Sequence, residues 1–183
     1  MTPFFTTTGD DGYTGLLGEG RVAKYSLRIE AVGDVDEATA AIGLARATAK
    51  TEETKQLLLH AQRDLYALMA EISATAENAA RFRKIDQIKI NWLETQTNQI
   101  TDRVKVPSEF IIPGDSSAGA ALSLARTIIR RAERRVAQIF HLGEVENPDL
   151  LIYLNRLSSL CFVLELFENQ ATGLSDTTLA KGK

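Results

Sequence analysis

The segment RTIIRRAERR places five arginines within ten residues, an arrangement suited to binding an anion. On a helix of 3.6 residues per turn, Arg126, Arg130 and Glu133 flank the apolar seam. A guanidinium beside a core is costly without a partner, so a bound anion and a buried ion pair stay open as alternatives for Arg126 and Arg130. Arg131 and Arg135 point away from the seam, which favours a solvated face paired within the helix.

A second candidate is the segment TTTGDDGYTG at residues 6–15. Its glycines allow a close backbone approach, and its hydroxyls and free N–H groups can hold oxygen acceptors, as in a phosphate cradle. The segment matches neither the Walker pattern nor the dinucleotide fingerprint. Taken alone, it favours a turn-rich arm over a ligand site.

Two further polar positions interrupt apolar patterns. Asp36 lies at the rim of the first apolar seam and is a candidate partner of Arg126, although decoration of an exposed turn together with Glu37 is as good an interpretation. Asn155 and Arg156 interrupt the last seam, where asparagine has low helix propensity. A polar crosslink and a ligand contact both remain open there.

Composition excludes several classes of protein. The 183 residues carry 21 basic and 24 acidic side chains. This net charge is too close to zero for a protein that binds nucleic acid over its whole surface. One cysteine excludes a disulfide within the chain, and two isolated histidines, His60 and His141, argue against structural zinc. The sequence has no basic leader and no long apolar run, so we expect a cytoplasmic protein without a membrane span.

The four prolines leave room for long helices to position these residues, because proline in a helix interior is strongly destabilising. Apolar residues recurring every three or four positions predict an all-α bundle of five helices. These helices are Glu30–Lys50, Thr51 to about Ala76, Ile85 to about Val104, one capped by Ser116 or Ser117, and one with Asn147 as its cap and Pro148 in its first turn. Polar residues 77–84 and the segment PSEFIIPGD at 107–115, called the proline loop below, are predicted loops, and strand-like runs occur only near Phe4 and Phe110.

Two apolar seams mark the predicted core. Their residues are Leu122, Ala125, Ile129, Ala132, Val136 and Ile139 in one helix, and Leu151, Leu154, Leu157, Cys161 and Leu164 in the next. Cys161 is interpreted as a small core residue and not as a nucleophile. The predicted organisation is a glycine-rich arm at 1–28, one helical domain at 29–172 and a disordered tail at 173–183.

These segments, in this order, resemble the PduO-type ATP:cob(I)alamin adenosyltransferases. The resemblance runs from Thr6 to about Asn169 through TTTGDDGYTGLLG, RIEAVGDVDEATAAIG, FIIPG, RTIIRRAERR and NRLS. It implies a ferritin-like five-helix bundle that forms a homotrimer with its sites at subunit interfaces. It also implies that the reduced cobalt of cob(I)alamin attacks the 5′ carbon of ATP, giving adenosylcobalamin and triphosphate.

The resemblance assigns roles to individual residues. Arg130, Arg126, Asp36 and Phe110 would be catalytic, with Asp36 and Arg126 as the ion pair at the corrinoid and Phe110 as the aromatic that displaces the lower ligand of cobalt. ATP, with Mg²⁺ carried by it and no certain metal ligand from the protein, would contact Thr6, Thr7, Thr8, Gly9, Thr14, Gly15, Lys24, Arg130, Arg131, Glu133, Arg134 and Asn155. A corrinoid reductase and an adenosylcobalamin-dependent mutase or dehydratase are candidate partners.

The chain departs from the family pattern at five positions. Thr7 and Asp11 stand where lysines are usual, Asp115 replaces a glycine, Ser159 an aspartate and Leu166 an arginine. A paralogue that binds ATP or corrinoid for sensing or delivery, with weakened catalysis, is therefore a second hypothesis. A structural helical interaction module is the third.

Overall fold

Helices form most of the computed structural model, which describes residues 5–174 and 177–181. This part of the chain contains a two-stranded antiparallel hairpin and six helices. Their bounds are β1 Tyr13–Gly15, β2 Arg21–Ala23, α1 Leu27–Thr48, α2 Glu52–Ser73, α3 Ala76–Phe82, α4 Gln87–Thr101, α5 Ser117–His141 and α6 Asp149–Ala171.

Side-chain caps begin three of the long helices. Thr51 accepts a hydrogen bond from the Thr54 N–H at 3.2 Å, as predicted, Asp86 accepts one from the Lys89 N–H at 3.1 Å, and Ser116, one of the two predicted serines, accepts one from the Gly119 N–H at 2.9 Å. The predicted cap of α6 is wrong by one residue, because Pro148 is the N-cap, although Asn147 accepts from the Asp149 N–H at 3.1 Å. Each bond satisfies a donor that the first helical turn leaves free.

The core lies where α5 and α6 pack together, with α1 against α5 and α4 against α6. All six predicted seam residues of α5 are fully buried, as are Leu154, Leu157, Cys161 and Leu164 of α6, while Leu151 is partly buried. By length and mean hydropathy α6 could cross a membrane, but 61% of its apolar stretch is buried inside the bundle, as expected of a core helix.

The predicted count of five helices is wrong for the described residues. Residues 77–82, expected as part of a loop, belong to the short helix α3 at Ala76–Phe82, which has no buried residue. Its sequence AENAARF has good helix formers but no apolar stripe, so periodicity could not reveal it. The two strands lie in the arm, while the run near Phe110 forms only an isolated bridge at Ile111, and Phe4 lies outside the described residues.

The arm and residues 177–181 are both attached to other parts of the described chain. In the arm, the Leu17 N–H donates to the Ser73 carbonyl at 2.8 Å, and the Thr75 N–H donates to the Leu17 carbonyl at 3.2 Å. Residues 177–181 belong to the tail that was expected to be disordered, yet Leu179 pairs with Ile111 in an antiparallel bridge. Residues 175, 176, 182 and 183 of that tail lie outside the described part.

Candidate functional site

The glycine-rich arm folds over the ammonium group of Lys24. The Gly12 N–H donates to the Gly9 carbonyl at 3.2 Å, and the Lys24 N–H donates to the Gly12 carbonyl at 2.9 Å. A Cβ atom added to Gly9 would lie 3.0 Å from Nζ of Lys24. Glycine at this position therefore lets the cation approach the turn formed by residues 6–12.

Three exposed threonines begin this turn. The hydroxyls of Thr6 and Thr8 are hydrogen bonded to each other at 2.8 Å, and Thr7 donates its hydroxyl proton to the Thr6 carbonyl at 2.7 Å. Thr7 has a φ of 58°, a left-handed conformation that is uncommon for a branched residue. Thr14 and Gly15 belong to β1, opposite Val22 and Arg21.

Asp11, one of the departures from the family pattern, is neutralised within the arm. Its two carboxylate oxygens accept hydrogen bonds from the Arg21 guanidinium, each at 2.8 Å. The bond from Arg21, with help from the Tyr13 N–H, holds the pKa of Asp11 below its ordinary value. The sequence analysis missed Arg21, because its pairing with Asp11 depends on the hairpin.

The exposed face of α5 carries the arginine pair one turn apart. Arg130 is exposed and forms no ion pair among the described residues, and Arg134 donates from Nη1 to the Arg130 carbonyl at 2.9 Å. The buried ion pair considered for Arg130 is absent among the described residues because its side chain reaches solvent, and the bound anion stays a prediction. Both guanidinium groups are accessible to an anion.

Glu133, between those arginines in sequence, is fixed by α6. Its Oε1 accepts a hydrogen bond from Nδ2 of Asn155 at 3.0 Å, and Asn155 accepts from Arg156 at 2.7 Å. Arg156 also bonds Glu94 of α4 at 2.8 Å. The polar crosslink considered for Asn155 is thus present, and it links three helices.

Arg131 and Arg135 pair with α1, and Arg135 also bonds Gln138 of its own helix at 3.4 Å, so the expected pairing within the helix is found for Arg135 and not for Arg131. Nε of Arg131 lies 3.2 Å from Asp34, its Nη2 bonds Glu37, and Nε of Arg135 lies 3.5 Å from Asp34. The hydrogen bond to Glu37 raises the pKa of Arg131. The guanidinium of Arg131 is already bonded to α1. The position of Arg131 therefore does not support the ATP contact that the resemblance implies for it.

Phe110 and Arg126 line one cavity of about 360 Å³, together with Ser108, Glu109, Ile111 and Phe162. Phe110 is 88% exposed, so its ring projects from the proline loop without core packing. Nε of Arg126 is buried and has no hydrogen-bond partner among the described residues. Asp36 is exposed on α1, and the ion pair considered for it with Arg126 is not formed within the described chain.

Behind Arg126, α6 contributes Cys161 and Glu165, which are both buried. Burial raises the pKa of the Cys161 thiol to about 12, so the thiol stays protonated at neutral pH and the core interpretation is supported. Burial also raises the pKa of Glu165 to about 7, against the opposing charge of Arg126. Glu165 was not predicted from the sequence. An acidic residue surrounded by apolar ones, as in FVLELF, could have indicated a buried carboxyl group.

The candidate residues therefore form three groups: the arm with Lys24, the arginine pair with Glu133 and Asn155, and the cavity with Phe110 and Arg126. Among the described residues, no hydrogen bond or ion pair connects the arm to the arginine pair. Residues 4–168 match the family model described as "Cobalamin adenosyltransferase". The chain belongs to the cobalamin adenosyltransferase family.

Relatives within this family match nearly the whole chain. A "Cobalamin adenosyltransferase" of Cupriavidus metallidurans is 41% identical over 177 residues, which are 96% of this chain and 93% of the relative. A "Corrinoid adenosyltransferase" of Bacillus subtilis is 36% identical over 176 residues, covering 94% of this chain and 89% of the relative.

Solved structures of this family have the same fold. A variant of the PduO-type ATP:corrinoid adenosyltransferase from Lactobacillus reuteri complexed with ATP has a TM-score of 0.88 at 29% identity, covering 97% of this chain and 100% of that one. Another variant, complexed with cobalamin and ATP, has a TM-score of 0.88 at 30% identity, covering 98% and 100%.

Proposed function

We propose that this protein transfers the 5′-deoxyadenosyl group of ATP to cob(I)alamin, giving adenosylcobalamin and triphosphate. The observation that carries the proposal is the accessible pair Arg130 and Arg134, one turn apart, beside the Glu133–Asn155 crosslink. The names of the relatives, and the ATP and cobalamin in the titles of the similar structures, support the same assignment.

In this reaction an electron pair of cobalt(I) forms the bond to C5′, and the bond between C5′ and the triphosphate oxygen breaks. The triphosphate leaves with that electron pair, and cobalt becomes cobalt(III). Negative charge therefore grows on the leaving oxygen, and preorganised cations lower the barrier. Arg130 and Arg134 supply them on α5, and Lys24 supplies one in the arm.

Residues of the arm would hold the rest of the nucleotide. The hydroxyls of Thr6, Thr7, Thr8 and Thr14 and the close backbone at Gly9 and Gly15 offer donors to phosphate oxygens. Among the described residues, no group of three histidines, cysteines or acids could hold a metal ion. We infer that Mg²⁺ enters with ATP, bound mainly by its phosphate oxygens, where it offsets their charge.

The corrinoid would occupy the cavity beside Phe110 and Arg126. The exposed ring of Phe110 would take the place of the lower ligand of cobalt, which makes the metal easier to reduce. Asp36 does not reach Arg126 within the described chain, so we infer that the two pair across a subunit interface. The buried and unpartnered Nε of Arg126 supports that arrangement.

The exposed face of α1 supports a homotrimer. It carries Asp36 together with small or apolar side chains that are unusual for a solvated helix face, namely Gly33, Ala40, Leu44 and Ala47. Leu44 is 51% exposed. In a trimer this face would cover the arginine pair of a neighbour and bring separate groups of residues into one site.

Arginine substitutions test the proposal with a matched control. Arg130→Ala should lower the rate of adenosylcobalamin formation by about 100-fold or more, because it removes one stabilising cation from the transition state. Arg135→Ala removes an exposed arginine of the same helix that is paired with Asp34, and the rate should stay within about twofold. Equal rates for the two variants would contradict the role given to Arg130.

The second candidate, a paralogue that binds ATP or corrinoid for sensing or delivery, is favoured by Thr7 and Ser159, which replace charged family residues. Calorimetry with ATP and cobalamin separates the two functions, since tight binding without turnover would favour the paralogue. For the enzyme we infer a cytoplasmic location, with a corrinoid reductase and an adenosylcobalamin-dependent mutase or dehydratase as partners.

A further inference from the structure

The proline loop at 107–115, which carries Phe110, is fastened by the tail. Among the described residues, its backbone makes two hydrogen bonds to other backbone groups, and both partners lie in residues 177–181. The Ile112 N–H donates to the Thr178 carbonyl at 2.8 Å, and the Ala180 N–H donates to the Phe110 carbonyl at 2.8 Å. The backbone of Phe110 is thus held directly by this short segment.

Asp115 adds a side-chain attachment at the end of the same loop. Its carboxylate accepts hydrogen bonds from the Thr178 N–H at 3.0 Å and from the Thr178 hydroxyl at 2.6 Å. Hydrogen bonds to a charged acceptor are stronger than neutral ones. Asp115 is also one of the positions at which this chain departs from the family pattern.

A cavity of about 320 Å³ adjoins the start of the loop. Its lining includes Pro107 and Ser108 of the loop together with Leu166, Leu174, Thr177 and Leu179. The ring of Phe110 is 88% exposed and cannot anchor the loop by packing. The position of that ring therefore depends on backbone hydrogen bonds, and the tail supplies those bonds.

We propose that residues 178–180 act as a positioning strap for corrinoid binding, in which Asp115, Thr178 and Ala180 hold the Phe110 backbone so that its ring meets the lower face of the corrinoid. The proposal rests on the proposed function. These three are positioning residues, since they act through Phe110. Loosening the strap should impair corrinoid binding and displacement of the lower ligand while ATP binding is retained.

Proline substitutions in the full-length protein test the strap. Ala180→Pro removes the N–H that donates to Phe110, at an exposed position where folding should be preserved. Lys181→Pro is the matched control, because the Lys181 N–H makes no backbone hydrogen bond among the described residues. We expect Ala180→Pro to speed hydrogen exchange of the Ile112 amide and to raise KM for cob(I)alamin, each by about tenfold, with KM for ATP within about twofold of wild type.

Substitutions of Asp115 give a second, independent pair. Asp115→Ala removes both side-chain bonds to Thr178 and should behave as Ala180→Pro does. Asp115→Asn should rescue, because the amide can accept from the Thr178 N–H and donate to the Thr178 hydroxyl. The absorbance spectrum of cob(II)alamin bound with ATP reports the fraction whose lower ligand is displaced, and this fraction should fall only in the alanine and Ala180→Pro variants.

The outcomes separate the two proposals. If wild type makes no adenosylcobalamin, the proposed function fails, and the strap is still judged by Ile112 exchange and by the cob(II)alamin spectrum, which need no turnover. If Ala180→Pro matches Lys181→Pro in both measurements, the strap proposal is overturned. Faster exchange at Ile112 with an unchanged spectrum and an unchanged KM would also overturn it, since the contact would then be structural only.

Discussion

Glu165 is a carboxyl group buried within the apolar α6, and burial raises its pKa to about 7 from an ordinary 4.5. Arg126 lowers the pKa in part, and Oε2 of Glu165 has no hydrogen-bond partner among the described residues. At pH values between the pKa of the unfolded chain and that of the folded protein, Glu165 is protonated in the folded protein and ionised in the unfolded chain. The free energy of unfolding therefore falls as pH rises through this window.

Glu165→Gln should remove that pH dependence. At about pH 8 the variant should exceed wild type in unfolding free energy by up to about 3 kcal/mol, because it no longer buries a charge. The difference should vanish below about pH 4.5, where the wild-type carboxyl is protonated in both states. Denaturant titrations across this range measure it, with the exposed Glu146→Gln as control. A variant less stable than wild type at pH 8 would show that the charged form is favoured in the fold.

Individual contacts were less predictable from sequence than the positions of side chains on their helices. The helical projection correctly turned Arg131 away from the α5 seam, but its partners Asp34 and Glu37 lie on another helix. Which residues of α1 meet Arg131 depends on how α1 is rotated against α5. The spacing of residues within one helix does not determine that rotation. For the same reason Glu133 and Asn155 were named separately and their contact was not predicted.

Glu168, at the end of α6, holds the beginning of α2. Its carboxylate accepts hydrogen bonds from the Lys50 N–H at 2.7 Å, the Thr51 N–H at 3.2 Å and the Thr51 hydroxyl at 2.6 Å. Burial alone would raise the pKa of Glu168, but these bonds, with one from Thr54, outweigh burial and lower it. The negative charge also lies at the positive end of the α2 dipole.

Glu168→Gln should therefore destabilise the protein by about 1–3 kcal/mol at neutral pH. Because the folded pKa is lowered, the contribution of the wild-type carboxylate is present above its ordinary 4.5 and is lost as pH falls through the folded value. Thermal unfolding at neutral and acid pH measures both effects. Glu52→Gln, which alters an exposed acid in the first turn of α2, should change stability by less than about 0.5 kcal/mol. Equal losses in the two variants would contradict a special role for Glu168.

Long elements were predictable, and short ones were not. Proline positions and apolar spacing gave the five long helices, and the Thr51 and Ser116 caps were identified from residue type alone. The hairpin β1–β2 and the helix α3 bury too little surface to create a periodic pattern. Their positions depend on tertiary bonds such as those between Leu17 and the end of α2.

At the scale of the whole molecule, the proposed site is incomplete in one chain. Asp36 and Arg126 do not meet within the described part, and the arm has no bond to the arginine pair. The family pattern could suggest which residues belong to the site, but the geometry of an interface lies outside a single chain. A trimer would explain both the separated groups and the apolar exposed face of α1.

Sedimentation equilibrium should give about three times the 20.1 kDa mass of the chain. Leu44→Asp places a charge on the exposed face of α1 and should dissociate the trimer and lower adenosylation together. Tyr66→Asp alters a more exposed apolar residue of α2, at 73% against 51% for Leu44, and should remain trimeric and active. A fully active monomer would refute interface sites.

The most direct test of the central claim is the product balance of the reaction. Purified protein is mixed with ATP and chemically reduced cobalamin, and adenosylcobalamin and inorganic triphosphate are both quantified. Attack at the 5′ carbon predicts equal amounts of the two products, with both lost in Arg130→Ala. Absence of adenosylcobalamin at every protein concentration, or release of ADP and orthophosphate in place of triphosphate, would contradict the account.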